Sequence, residues 1–169
     1  MKVIFETDRL LLRQFTLEDV TILLELNSDP VVLKYLHEPL LQDEAHAETI
    51  LKTIILPQYE RKLGRWAVHL KDDNSFLGWC GLKYRPELEE IDLGYRFMQS
   101  AWGKGYATEA AKETLAYGFE KLNLPFITGR AHIENLASIR VLEKIGMEYI
   151  GEGIVDDCPV KTFIMKNPY

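Results

Sequence analysis

The sequence predicts an α/β chain built on one mixed sheet with helices on both faces. Two observations carry this. Strand, turn, helix and strand follow one another over residues 89–133, the spacing of a βαβ unit, which requires parallel pairing and a right-handed crossover. Just before it, two strand-like runs flank "DDNS", the signature of an antiparallel hairpin. The 169 residues contain no internal repeat and no linker, so a single domain over 1–169 is expected.

In chain order, "DRLLLRQF" (8–15) reads as a strand, with Leu10 and Leu12 on one face and Leu11 and Arg13 on the other. "TLEDVTILLELNSD" reads as a helix. Thr16 caps it, Asp19 completes the capping box, and Leu17, Val20, Ile22, Leu23, Leu24 and Leu26 form its apolar stripe. A second helical stretch is expected over 42–61, interrupted near Pro57, with Ala45, Thr49, Leu51, Ile54 and Ile55 as its apolar face. Strands follow at 65–71, 76–84 and 89–97, the last with Ile91, Leu93, Tyr95 and Phe97 facing one way. A helix over 107–122 presents Ala111, Leu115, Gly118, Phe119 and Leu122, and a strand occupies 125–133. Asn135 opens a further helix that Gly146 closes as a left-handed residue, and "MEYIGEGIV" and "VKTFIMK" form a closing strand pair around "DDCP".

Composition narrows the function. Hydrophobic residues make up 47% and charged residues 27%, which excludes a disordered or low-complexity chain. A net charge of −6 argues against a general nucleic-acid binder, although Lys104, Lys112 and Lys144 can still meet an anionic ligand. Cys80 and Cys158 lack metal-ligand spacing and make no disulfide framework, so no metal is expected. The amino-terminal residues alternate and carry charge, and no run of about 18 apolar residues occurs, so the expectation is a cytoplasmic protein without a membrane partner.

The segment "WGKGYATEA" (102–110) is the focal point. Glycine around Lys104 at the start of a helix admits two readings: a relaxed helix entry, or a cradle of unpaired amides for a phosphate. It is not a nucleotide P-loop, since Gly105 stands where serine or threonine would follow the lysine, and it lacks the third glycine of the dinucleotide fingerprint.

Beyond this segment, "DLGYRFMQSAWGKGYATEA" (92–110) and "NLASIRVLEKIGM" (135–147) resemble the two signature segments of the GNAT N-acetyltransferase superfamily. More narrowly they resemble its branch of ribosomal-protein alanine N-acetyltransferases, as do "ETDRLLLRQFTLEDV" and "YGFEKLNLPFITGRAHIEN". The resemblance spans nearly the whole chain and weakens at 36–64 and after 152. Of the general motif Q/R-x-x-G-x-G/A, Gly105 and Ala107 match, and Trp102 replaces the first residue, as is usual in the branch. The resemblance implies a central, mostly antiparallel sheet with one parallel, splayed strand pair.

The resemblance also implies acetyl-CoA as co-substrate. Main-chain amides around Trp102, Gly103, Lys104, Gly105, Tyr106, Ala107 and Thr108 would hold its pyrophosphate. Phe97 and Met98 would grip the pantetheine arm through main-chain groups, with an amide there for the oxyanion. Asn135 would contact the arm, and Ser138 would donate a proton to the sulfur or hydrogen-bond to it without net transfer; helix capping accounts for Asn135 whatever else it does. For the general base, Asp92 and Glu90 are the candidates, beside the alternative of exposed polar strand positions. Tyr35, Trp66 and Tyr84 are candidate acceptor contacts, the two last also being candidate core. An α-amine, with pKa of about 8, needs less help at neutral pH than lysine at about 10. The acceptor is expected to be a primary amine, on a protein amino terminus or a small molecule. Its determinants are expected in 30–64 and 152–162, and the chain is expected to be a monomer or homodimer. The alternative outside enzymes is an acyl-CoA-binding sensor or accessory protein without turnover.

Overall fold

The computed structural model describes residues 2–169. Eight strands form one sheet in the order β1-β2-β3-β4-β5-β6-β8-β7. They are β1 (Val3–Glu6), β2 (Leu10–Gln14), β3 (Gly64–Leu70), β4 (Phe76–Arg85), β5 (Glu90–Phe97), β6 (Phe126–His132), β7 (Glu148–Val155) and β8 (Cys158–Lys166). Every neighbouring pair is antiparallel except β5 and β6. The helices are α1 (Val20–Asn27), α2 (Glu44–Ile50), α3 (Leu56–Gln58), α4 (Tyr106–Glu120) and α5 (Leu136–Lys144). The mixed sheet, the hairpin and the parallel βαβ unit all appear as the sequence predicts.

The parallel pair positions the site. β5 and β6 align only at Asp92 opposite Thr128 and Leu93 opposite Gly129. Beyond Leu93 the strands part, so the carboxyl-terminal halves of both leave an open cleft. On one face, α4 and α5 cover a core of Leu82, Leu93, Leu115, Phe119, Ile127 and Leu142. On the other, α1 and α2 cover Phe15, Leu23, Leu51, Ile55 and Trp79. Burying each such side chain stabilises the fold by about 1.5–3 kcal/mol, which fixes the register of alternating strands against a one-residue slip.

Several local expectations are corrected. β1, not read from the sequence, pairs with β2 through a turn held by Thr7, whose Oγ1 accepts from the Leu10 amide at 3.1 Å. The Thr16–Asp19 capping box forms, but its first turn is 3-10, and Leu17 stays 46% exposed because that turn swings it off the stripe. The stretch 44–61 runs on through Pro57. The chain relaxes into a π turn at Leu51–Ile55, in which the Leu56 amide bonds to the Leu51 carbonyl, and this wider turn accommodates a proline that lacks an N–H. The altered twist makes Ala47, Leu51 and Ile55 the buried face and leaves Ala45, Thr49 and Ile54 exposed. Leu122 lies past the end of α4 but still packs on the core. Among the described residues, no helix is long and apolar enough to cross a membrane.

Candidate active site

The segment after β5 folds as an anion cradle. Gly103 and Gly105 have φ of 76° and 82°, the left-handed region that glycine enters without a Cβ penalty. The first helical bond of α4 runs from the Glu109 amide to the Gly105 carbonyl, and the amides of Gly103 to Thr108 have no acceptor among the described residues. No side chain caps this helix end. Six consecutive N–H groups with the positive end of a 15-residue helix behind them are suited by charge and direction to an anion. A Cβ at Gly103 would meet nothing within 4 Å, so the approach is open.

Arg9, just before β2, braces the cradle. Its guanidinium donates to the Lys104 carbonyl at 2.9 Å and to Glu109 at 2.8 Å, and it lies 4.6 Å over the Tyr106 ring. Burial raises the Glu109 proton affinity, but hydrogen bonds from Thr7 and Arg9 outweigh it and hold the carboxyl below its ordinary value. Lys104 Nζ donates to the Ser100 carbonyl at 2.9 Å, which stations its charge beside the loop. The Trp102 indole donates to the Phe97 carbonyl at 2.8 Å, tying the loop to the end of β5.

That bond and its neighbours correct the expectation for the Met98 amide and narrow the one for the Phe97 carbonyl. The Met98 amide donates to Leu77, and the Met98 carbonyl accepts from Ala101. A single N–H has a single proton to give, so the Met98 amide is not available to an oxyanion, and the Phe97 carbonyl keeps only its second lone pair.

Across the cleft, Asn135 is the N-cap of α5, its side chain accepting from the Ser138 amide at 3.2 Å. Ser138 Oγ lies 2.8 Å from the Tyr95 hydroxyl, which also donates to the Ser138 carbonyl at 3.2 Å. The sequence places Tyr95 only on the core face of β5. Its hydrogen bond to the residue after the β6 crossover is a contact between positions 43 apart, which no local pattern signals. Burial pushes the Tyr95 phenol well above its ordinary value, against the pull of Ser138, so it stays protonated.

The carboxylates lie on the opposite face. Asp92 is 7% exposed, with Oδ2 taking a 2.7 Å bond from Arg85 Nε and Oδ1 buried without a hydrogen-bond partner, 3.7 Å from Arg130. Burial pushes its carboxyl up, and Arg85 and Arg130 oppose that. Glu90 accepts from Arg130 at 2.6 Å and from Thr128 at 3.2 Å. Tyr35, in the α1–α2 loop, stacks 5.2 Å from His132 at the end of β6, on this same face.

Two acceptor candidates are removed by the fold. Trp66 is 1% exposed and set edge-on to Phe5 and Tyr117 beneath α4, in the core. Tyr84 sits near the far end of β4, under Arg61, five positions from the Trp79–Arg96 rung toward the Arg85–Glu90 end, away from the parting carboxyl-terminal halves of β5 and β6; it borders a hollow of about 330 Å³ with Pro57 and Leu82. A second hollow of about 240 Å³, walled by Ile139, Met147 and Phe163, also lies apart from the cleft. Cys80 and Cys158 are buried and unbridged, and burial pushes the Cys80 thiol up to about 12, so it is inert. Among the described residues no cluster of His, Cys, Asp or Glu could hold a metal.

Comparison with known proteins places this geometry. The Acetyltransferase (GNAT) domain family matches residues 9–148. The chain is 32% identical to N-acetyltransferase p20 of Bacillus licheniformis, a protein described as uncharacterized, over 89% of this chain and 84% of that one. It superposes on a GNAT-family acetyltransferase from Bacillus anthracis with a TM-score of 0.83 at 28% identity, covering 100% of both chains. At 17% identity, the ribosomal-protein-S5-alanine acetyltransferase of Vibrio fischeri shares the fold, with a TM-score of 0.79 over 97% of this chain and 96% of that one.

Proposed function

The chain belongs to the GNAT acetyltransferase family and is an acetyl-CoA-dependent N-acetyltransferase; from that premise we propose that it acetylates a primary amine by direct attack within a ternary complex. The observation that carries the reading is the run of acceptor-less amides from Gly103 to Thr108 at the mouth of the split β5–β6 pair. These residues fit the diphosphate of acetyl-CoA, whose thioester supplies the activated acetyl group. Asn135 and the main chain along the cleft would hold the pantetheine arm.

Two proton tasks remain for the protein, and the sheet separates them. The acceptor amine must lose a proton before or during attack. Asp92, on the α1/α2 face, has its carboxyl pushed up by burial and one free oxygen, which suits a general base. The departing thiolate must gain one. Ser138, on the α5 side, can give one, and the Tyr95 hydroxyl 2.8 Å away holds its Oγ in place. Glu90, held by Arg130, acts on Asp92 through the shared guanidinium. The acceptor is a protein amino terminus or a small amine, with Tyr35 on its path.

A second reading, an acyl-CoA sensor without turnover, draws on the arginines that engage both carboxylates. Thiol release measured across a panel of amines, with mass spectrometry of the products, separates the two. An enzyme releases CoA in step with an N-acetylated product; tight binding of acetyl-CoA with no release in any arm overturns the enzyme reading.

A further inference from the structure

Resting on the amine-acceptor reading above, we propose that the acceptor is an acidic amine, its carboxylate held by the Arg65 guanidinium on the α1/α2 face. Arg65 of β3 is opposite Gly81 of β4, which is opposite Gly94 of β5, so the three form one row running to the cleft. With strands about 4.8 Å apart, Arg65 and Gly94 are about 10 Å apart in the sheet. The floor of this row is the Trp79 indole, which lies across Gly94; a Cβ there would stand 3.4 Å from the ring. Arg65 and Arg96 both lie over that indole, at 4.9 and 5.5 Å from its centroid.

The arginines of this face are not equivalent. Arg85 pairs with Asp92, Arg130 with Glu90, and Arg96 with Glu38 at 3.1 Å and with Asn27. The Arg65 guanidinium has neither a carboxylate nor a hydrogen-bond acceptor among the described residues, although the residue is half-buried. Burial and repulsion from Arg96 lower its pKa to about 10, and Glu38, already engaged by Arg96, offsets only part of this. Around the same patch, Arg96 Nε, Arg130 Nε and Asp92 Oδ1 are buried without a partner. Buried polar groups in a native fold are satisfied with few exceptions, so these three, strung along the sheet face that Arg65 shares and with Arg96 beside it, mark a path that a polar ligand reaching from Arg65 to the cleft completes.

The sign of that ligand follows. A carboxylate would meet Arg65 in a two-pronged bond and relieve the repulsion with Arg96. A polyamine would bring further positive charge against both arginines, and a neutral amine would leave Arg65 as it is. The amine end then points along the row toward Asp92 and the cleft. A free amino acid and a peptide with an acidic residue next to its amino terminus both offer this chemistry, and the test has an arm for each.

The full-length protein is assayed by thiol release with matched pairs: α-amino acids against their carboxamides, and short peptides with Asp or Glu at the second position against Asn or Gln. Spermidine is the cationic control. The expected result is a preference of about 10-fold or more in kcat/KM for the acidic member of one pair set, carried by KM. In Arg65→Gln the preference collapses to about 2-fold, and Arg65→Lys, which keeps the charge but loses the fork, retains part of it. Thermal midpoints and CoA affinity verify folding, and the wild-type pairs need no variant. Equal rates within both pair sets, faster turnover of spermidine, or a preference that survives Arg65→Gln would overturn the inference alone. No turnover in any arm with CoA bound would overturn the proposed function and this inference with it.

Discussion

The two ends of the proposed substrate path are built from different materials. The cradle at 102–108 is contiguous, uses main-chain N–H groups, and depends on two glycines with positive φ. The proposed acceptor face is assembled from β3, β4, β5, β6 and the α1–α2 loop, and it uses arginine and carboxylate side chains in pairs. A main-chain cradle tolerates change in almost every side chain and fails when backbone geometry is disturbed. A side-chain face tolerates backbone exchange and fails one charge at a time.

The largest effect should follow from disturbing the backbone. Gly105→Val puts a β-branched residue at φ 82° and a Cβ 3.3 Å from Arg9 Nη2. CoA affinity measured by calorimetry should fall about 100-fold, since strain and lost amide contacts add. Unchanged affinity would mean that the cradle is not the diphosphate site.

Next in size is Ser138→Ala. Its main-chain amide still bonds to Asn135, so CoA binding should persist while kcat drops about 100-fold. Tyr95→Phe should lower kcat less, because Ser138 keeps its own hydroxyl. Equal kcat in wild type and Ser138→Ala would remove the serine from proton transfer and leave Tyr95 with a packing role.

On the acceptor face the effect should be one of pH. A base works ionised, so kcat/KM should rise as pH climbs through the Asp92 pKa, which burial displaces upward from the ordinary carboxylate range. Asp92→Asn should lower the rate and abolish that limb. For stability the sign is opposite: a carboxyl whose folded pKa is raised favours the fold below its unfolded value, and this contribution is lost as pH rises through the folded one. Asp92→Asn should therefore flatten the acid-to-neutral loss in thermal midpoint, and an unchanged rate profile would reassign the base. The smallest effect is expected for Arg9→Ala, which loosens the brace on the loop; the ion pair is half exposed, so CoA affinity should fall only about 3-fold.

The contrast also explains what the sequence could reveal. Gly103, Gly105, Asn135 and Ser138 stand in short local patterns whose physics is local, and the structure puts the cradle and the α5 cap where those patterns place them. Arg65, Arg85, Arg96 and Arg130 stand singly in strands, and their partners are set by register between strands far apart in the chain. Of the proposed acceptor face, Tyr35 and Glu38 lie in the expected window 30–64, whereas Arg65, Trp79, Arg96 and Arg130 lie outside both 30–64 and 152–162. The one available signal was an arginine at an inward position of β3, alternating with buried Trp66 and in phase with Ala67. Trp66 and Tyr84 were ambiguous for the same reason: alternation assigns a face, and only the pairing of strands says which end of the sheet it serves.

The most direct test of the account is amide-resolved NMR of the full chain titrated with CoA. The account predicts that the amides of Gly103 to Thr108 shift most, that the β5–β6 cleft follows, and that pantetheine without the diphosphate moves only the cleft. Amides 103–108 unmoved at saturation, with the large shifts elsewhere, would contradict it.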